Sequence, residues 1–135
     1  MTPTIDRALW PLIVVRFPPV VTPAEVAAHF DELESIVTTS GASLHALVID
    51  LVSADLQAPA VREHAVTRMR ELYPRVRGRV AGVAHVVGSS LTLAAVTGLL
   101  WLAPPPHPTL VTRSMQDALD WARRRLAGAD ADAAS

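Results

Sequence analysis

Four apolar runs rich in valine, leucine and isoleucine alternate along the chain with four segments of helical periodicity. The runs span residues 12–17, 45–51, 80–87 and 109–113. Apolar strands separated by helices are typical of a mainly parallel sheet that helices cover. The order predicts an α/β fold of the type βαβαβαβα with four or five strands, in which residues 1–8 add a short edge strand.

The helices carry their own start and stop signals. Thr22, Pro23 and Glu25 form a capping box with proline at the first helical position. The second helix is expected to run from Pro59 to Pro74, where proline removes a backbone donor. The third is expected to run from Ser89 or Ser90 to Pro104, and the fourth to begin after Ser114.

Length and composition predict one soluble domain. The chain has 135 residues, enough for a single core, and we expect a domain over residues 1–127 with a flexible tail at 128–135. No apolar run reaches the roughly 20 residues that span a bilayer, so a cytoplasmic location is expected. Cysteine is absent and all 12 basic residues are arginine, a bias typical of GC-rich bacterial genes. This composition excludes thiolate and lysine chemistry.

The third helix, residues 89–103, is apolar all round. A helical wheel places Leu91, Ala95, Leu99 and Leu102 on one side, which we assign to the sheet. The other side then holds Leu93, Val96, Leu100 and Trp101. A second apolar face needs its own cover, so it predicts a surface for a protein partner, a second copy, or a lipid or membrane surface. The simpler alternative is that a neighbouring helix of the same chain covers it.

Several polar residues follow the predicted strands, where parallel sheets usually bind ligands. They form a possible anion or ligand rim made of Ser53, Asp55, His85, Ser89 and Ser90. A serine, a histidine and a carboxylate also permit a small hydrolase-like enzyme, but no G-x-S-x-G turn precedes a helix. For His85 alone, a core histidine bonded to the backbone is the preferred interpretation. We therefore predict no catalytic residue.

Charge is segregated along the chain. Residues 25–55 hold six carboxylates and no arginine, whereas residues 62–79 hold six arginines and two glutamates. The simpler interpretation is that these charges lie on solvent-exposed helix faces. The alternative is that Arg62, Arg68 and Arg70 dock an acidic partner. The five histidines lack metal-ligand spacing, so no metal or cofactor is predicted. The few aromatic residues are not interleaved with basic ones, which argues against nucleic-acid binding.

The order of elements over residues 8–127, together with the last-helix motif QDALDWARRRL at 116–126, resembles the STAS or SpoIIAA-like superfamily. The resemblance implies a non-enzymatic domain that binds a protein partner, or in some relatives a lipid-like ligand beneath a mobile helix, here residues 89–103. STAS-type antagonists carry a phosphorylatable serine at the start of the helix after the second strand. This chain has Ala58, Pro59 and Ala60 there, so no phosphorylation switch is predicted at that helix start.

The sequence therefore predicts a non-catalytic regulatory or scaffolding module that acts through helix 89–103, either on a protein partner or as a homodimer. The first alternative is a lipid- or amphiphile-binding domain with the same helix as its lid. The second alternative is the small hydrolase-like enzyme.

Overall fold

The computed structural model describes residues 3–40 and 44–134, with side chains described as far as residue 128. Nine elements follow one another along this part of the chain. They are β1 (Thr4–Asp6), β2 (Leu12–Arg16), α1 (Pro23–Thr39), β3 (His45–Leu51), α2 (Pro59–Val76), β4 (Val80–Val87), α3 (Ser90–Leu102), β5 (Thr109–Thr112) and α4 (Met115–Ala134).

The strands form one five-stranded sheet in the order β1-β2-β3-β4-β5. The pairs β2–β3, β3–β4 and β4–β5 are parallel, and β1 runs antiparallel to β2 at the edge. The predicted mainly parallel α/β sheet is confirmed, including the short N-terminal edge strand. None of the helices in the described ranges is long and apolar enough to cross a membrane.

The sheet has two covered faces because successive side chains of a strand point to opposite sides. We call the first the cavity face; α1, α2 and α3 pack on it, and its strand residues include Ile13, Val15, Leu47, Ile49, Val83 and Val87. The second face packs on α4 alone, with Leu12, Val14, Ala46, Val48, Ala84 and Val86 against Ala118 and Ala122. Because both faces of the sheet are covered, odd- and even-numbered residues of each strand are apolar, which explains the continuous apolar runs in the sequence.

Local signals set the helix starts. The Thr22 Oγ1 atom accepts a hydrogen bond from the Glu25 backbone N–H at 3.2 Å, and Pro23 occupies the first turn of α1. One predicted end was wrong, because α2 continues through Pro74 to Val76. Pro74 lies in the last turn, and the buried Val76 joins a core cluster with Val37 and Leu72, which favours the extra turn. The helix α4 also extends past its expected end near residue 127 to Ala134.

Candidate functional site

A cavity of about 130 Å³ lies on the cavity face of the sheet, beneath α3. Its walls come from β3, β4 and the three helices of that face, and they are almost wholly apolar. Val96, Leu99 and Leu100 of α3 form part of the lining. The polar side chains that line it are His29, Arg62, Tyr73, His85, His107 and Thr109.

His29 lies in α1 and is only 3% exposed. Its ring contacts Phe17 and Phe30, with ring centroids 4.7 and 5.0 Å away. Burial lowers the pKa of His29 to about 3, so its imidazole is neutral near pH 7. Its Nδ1 atom is buried and has no hydrogen-bond partner. An apolar environment thus holds a polar atom whose hydrogen-bonding capacity is unused in this structure.

His85 lies on β4 between Val83 and Val87 of the cavity face, and it lines the same cavity. Burial lowers the pKa of His85 to about 4, and a hydrogen bond with the Leu110 backbone raises it by a smaller amount. Its Nδ1 atom also lacks a partner. His45 is another core histidine, and both of its ring nitrogens have partners, the Ser40 hydroxyl at 2.7 Å and the Arg79 carbonyl at 3.1 Å.

Another aromatic pair lines the cavity where α2 ends and β5 begins. The rings of Tyr73 and His107 meet edge to face, with centroids 5.7 Å apart. Burial lowers the pKa of His107 to about 4 and raises the pKa of Tyr73 above its ordinary value. Both groups are therefore uncharged near pH 7, so this end of the cavity suits an apolar guest.

Arg62, in the first turns of α2, borders two concave regions. It lines the cavity, and it also lines a shallow groove between α2 and α3 whose other members include Glu63, Arg70 and Leu102. One guanidinium N–H group lies 3.4 Å from the Gln57 carbonyl. The Nε atom of Arg62 is buried without a partner.

The orientation of α3 corrects the predicted partner surface. Val96 is 2% exposed and belongs to the core, and Leu100 is half-buried over the cavity. Trp101 is 83% exposed and Leu93 lies at the surface, as expected, but Leu91 and Leu102 are also exposed instead of facing the sheet. The small residues Thr92 and Ala95 pack inward beside Val96. Ala95 and Leu99 of the predicted sheet side do face inward, so the prediction was right for half of that side. A helix that is apolar all round offers no polar face to fix its rotation.

Arginine side chains hold both ends of α3. Arg70 donates two hydrogen bonds, at 3.2 and 2.6 Å, to the Leu102 carbonyl at the C-terminus of the helix. Arg113 donates one at 2.7 Å to the Ser90 hydroxyl at the N-terminus. Carbonyls at a helix C-terminus lack intrahelical partners and carry partial negative charge, which suits a guanidinium group.

Two of the three predicted docking arginines have strong partners within the chain, and docking of an acidic partner stays a prediction. Arg68 forms ion pairs with Asp31 of α1 and with Glu71, and Arg70 is bonded to α3. Arg75 of α2 pairs with Glu34 of α1 at 2.9 Å. The acidic first helix and the basic second helix lie side by side on one face, so their charges pair within the chain. Arg62 of the predicted trio has no ion pair among the described residues, and its hydrogen bond to the Gln57 carbonyl is long, at 3.4 Å.

Asp55, Ser89 and Ser90 of the predicted rim bond to groups outside it. The Asp55 carboxylate accepts from the Gln57 backbone N–H at 2.9 Å, and Ser53 is exposed in the same loop. Ser89 caps α3 by accepting from the Thr92 N–H, and Ser90 bonds to Arg113. These residues and His85 all lie in the described ranges, and no hydrogen bond joins any of them to His85. The hydrolase-like arrangement is not assembled in this structure.

Sequence reasoning missed His29, Tyr73 and His107 as site residues. His29 follows Val26 by three positions and precedes Leu33 by four, so it lies on the apolar stripe of α1. A histidine at such a position is expected to be buried, so the sequence pattern alone could have identified His29 as a candidate site residue. His107 lies in a proline-rich connection, where no periodicity indicates burial.

No family model matches the chain, and no curated protein matches it. A search of solved structures finds the crystal structure of an uncharacterized protein from the DUF3478 family with a SpoIIAA-like fold, from Shewanella loihica PV-4. The two chains share 19% sequence identity with a TM-score of 0.61, over 90% of this chain and 92% of that chain. The chain described here therefore has the SpoIIAA-like fold that the sequence predicted.

Proposed function

We propose that this chain is a non-catalytic binding module that takes a small apolar or amphiphilic molecule into the cavity beneath α3, with α3 as its lid. The observation that carries the proposal is an apolar cavity of about 130 Å³ that is lined by His29 and His85, each of which has a buried Nδ1 atom without a partner. Empty volume and unpaired buried polar atoms both lower the stability of a protein, so their presence here supports a binding role for the cavity.

The size of the cavity limits the guest. Apolar cavities of roughly 150 Å³ in proteins stay dry and bind molecules the size of benzene. The enclosed part of this cavity is therefore large enough for about six carbon atoms. A longer molecule would extend into the groove between α2 and α3, which Arg62 connects to the cavity.

The structure of α3 suits a lid. It covers the cavity with few side chains, and hydrogen bonds from Arg70 and Arg113 hold its two ends. Bonds between exposed groups contribute little each, so they can open without disrupting the core. The helix carries no charged residue, so it can rest on an apolar guest without burying a charge.

A substitution that fills the cavity should prevent binding. Ala65 of α2 is buried and lines the cavity, so Ala65→Leu should place three additional carbons in it. We expect the affinity for 1-hexanol, measured by NMR titration, to fall at least about tenfold. The matched control is Ala28→Leu, at an exposed position of α1. Equal hexanol affinity in wild type and a folded Ala65→Leu variant would contradict the proposal.

A second candidate function is supported by the outer face of α3. Leu91, Trp101 and Leu102 are 68%, 83% and 59% exposed, and Leu93 is exposed on the opposite flank of the helix. Large apolar patches of this kind mark sites of protein association or membrane contact. This is the corrected form of the predicted partner or dimer surface. Regulatory function and a cytoplasmic location stay predictions.

The outer face can be tested separately from the cavity. If α3 mediates self-association, sedimentation of wild type should depend on protein concentration, and Leu91→Ser with Trp101→Ser should restore a monomer. Val20→Ser serves as the control, since Val20 is 73% exposed elsewhere on the surface. A monomeric wild type with unchanged behaviour in the double variant would leave a different protein or a membrane as the partner.

A further inference from the structure

Arg62, unlike Arg68 and Arg75 of α2, has no carboxylate partner among the described residues, and unlike Arg70 it makes no short hydrogen bond to another helix. Arg68 pairs with Asp31 and Glu71, and Arg75 pairs with Glu34. The contact of Arg62 with protein oxygen is the long one, 3.4 Å, to the Gln57 carbonyl. Its Nε–H group is buried and unused. The positive charge of Arg62 is thus half-buried where the cavity opens into the groove between α2 and α3, and no side chain neutralises it.

The chemistry of the guanidinium group selects its partner. Arginine is always charged and donates only, so its Nε–H needs an acceptor oxygen, and an anionic oxygen gives the strongest bond. The charges of the groove residues indicate that the partner of Arg62 carries a single negative charge. Glu63 also lines the groove, and Arg70 is already bonded to the Leu102 carbonyl. A dianion such as a phosphate monoester would face Glu63 with one free guanidinium group, whereas a monoanion matches it.

We infer that the guest is a small amphiphilic carboxylate, whose carboxylate binds Arg62 at the mouth of the cavity and whose apolar part, about six carbons long, lies beneath α3. This inference rests on the proposed function, since it identifies the guest of the same cavity. The Nδ1 atoms of His29 and His85 then lie along the walls.

The experiment compares four probes that share a six-carbon chain and differ in the head group: hexanoate, 1-hexanol, hexylamine and hexyl phosphate. Each is titrated into the intact chain and followed by NMR. We expect hexanoate to bind at least about tenfold more tightly than 1-hexanol, as a charge-assisted hydrogen bond implies. Hexyl phosphate should bind no more tightly than hexanoate, and hexylamine should bind most weakly.

The variant Arg62→Gln removes the charge and keeps a polar side chain of similar length. We expect it to weaken hexanoate binding about tenfold more than it weakens hexanol binding, so that the preference for hexanoate is lost. Arg77→Gln is the matched control, because Arg77 is an exposed arginine just after α2 and does not line the cavity. Thermal unfolding of each variant shows whether it is folded under the conditions of the titration.

The outcomes separate the inference from the function beneath it. If hexanol and hexanoate bind equally and Arg62→Gln changes neither, the carboxylate assignment is wrong and the cavity still binds apolar guests. Tighter binding of hexyl phosphate than of hexanoate also overturns the assignment. If none of the probes binds, both the inference and the proposed function fail.

Discussion

Lowering the pH from about 7.5 to about 5 should reduce the free energy of unfolding by about 4 kcal/mol. The cause is the burial of His29 and His85 as neutral imidazoles, with folded-state pKa values of about 3 and about 4. In the unfolded chain both return to an ordinary value near 6.5. Acid therefore protonates the unfolded chain first.

The direction of the effect follows from proton uptake. Between the folded and unfolded pKa values, the unfolded state binds more protons, so stability falls as the pH falls through this window. Each histidine contributes about 2 kcal/mol of this loss at about pH 5. His107, with a pKa lowered to about 4, acts in the same direction. Full stability is expected above about pH 7.5, where the unfolded histidines are also neutral.

Urea unfolding midpoints measured across this range would check the effect. The variant His29→Phe removes one titrating group and keeps a ring beside Phe17 and Phe30, so its stability should depend less steeply on pH. The control is His64→Gln, because His64 is exposed and bonds through Nδ1 only to the Ala60 carbonyl of its own helix. If His29→Phe follows the same curve as wild type, His29 is not a buried neutral group.

The sheet and its helices could be predicted from sequence because their signals are local. Apolar strands, the Thr22 cap and the serine before α3 each act over a few residues, and they specify the same elements in the structure. Pro74 shows where a local rule gives way to packing. The helix continues through this residue, and the added turn buries Val76 in the core.

The site could be predicted only in part because it depends on long-range packing. The sequence identified α3 as the important helix, but its apolar residues surround the axis and left its rotation open. The cavity arises where α1, α2 and α3 meet the sheet, and no segment encodes its volume. The partners of Arg68 and Arg70 likewise come from α1 and α3, 37 and 32 residues away in sequence.

The substitution Gly88→Ala should destabilise the chain by about 3 kcal/mol or more, because it forces backbone to move. Gly88 lies between the end of β4 and Ser89, the cap of α3. A methyl group there would lie 2.3 Å from the Val52 carbonyl oxygen and 3.1 Å from the Val52 carbonyl carbon. Either the loop after β3 or the start of α3 must shift, and both border the site.

For Gly98 in α3, the same substitution should change stability in the opposite direction. A methyl group at Gly98 would meet nothing within 4 Å, and the position is exposed within the helix. Gly98→Ala should therefore stabilise the chain by about 0.5–1 kcal/mol, since alanine favours helix more than glycine does. Chemical unfolding of both variants, together with hexanol titration, tests the pair. If Gly88→Ala is as stable as wild type, the close approach of Val52 to Gly88 does not position α3. If Gly88→Ala is destabilised and loses hexanol affinity while Gly98→Ala keeps it, the turn at Gly88 fixes the lid over the cavity.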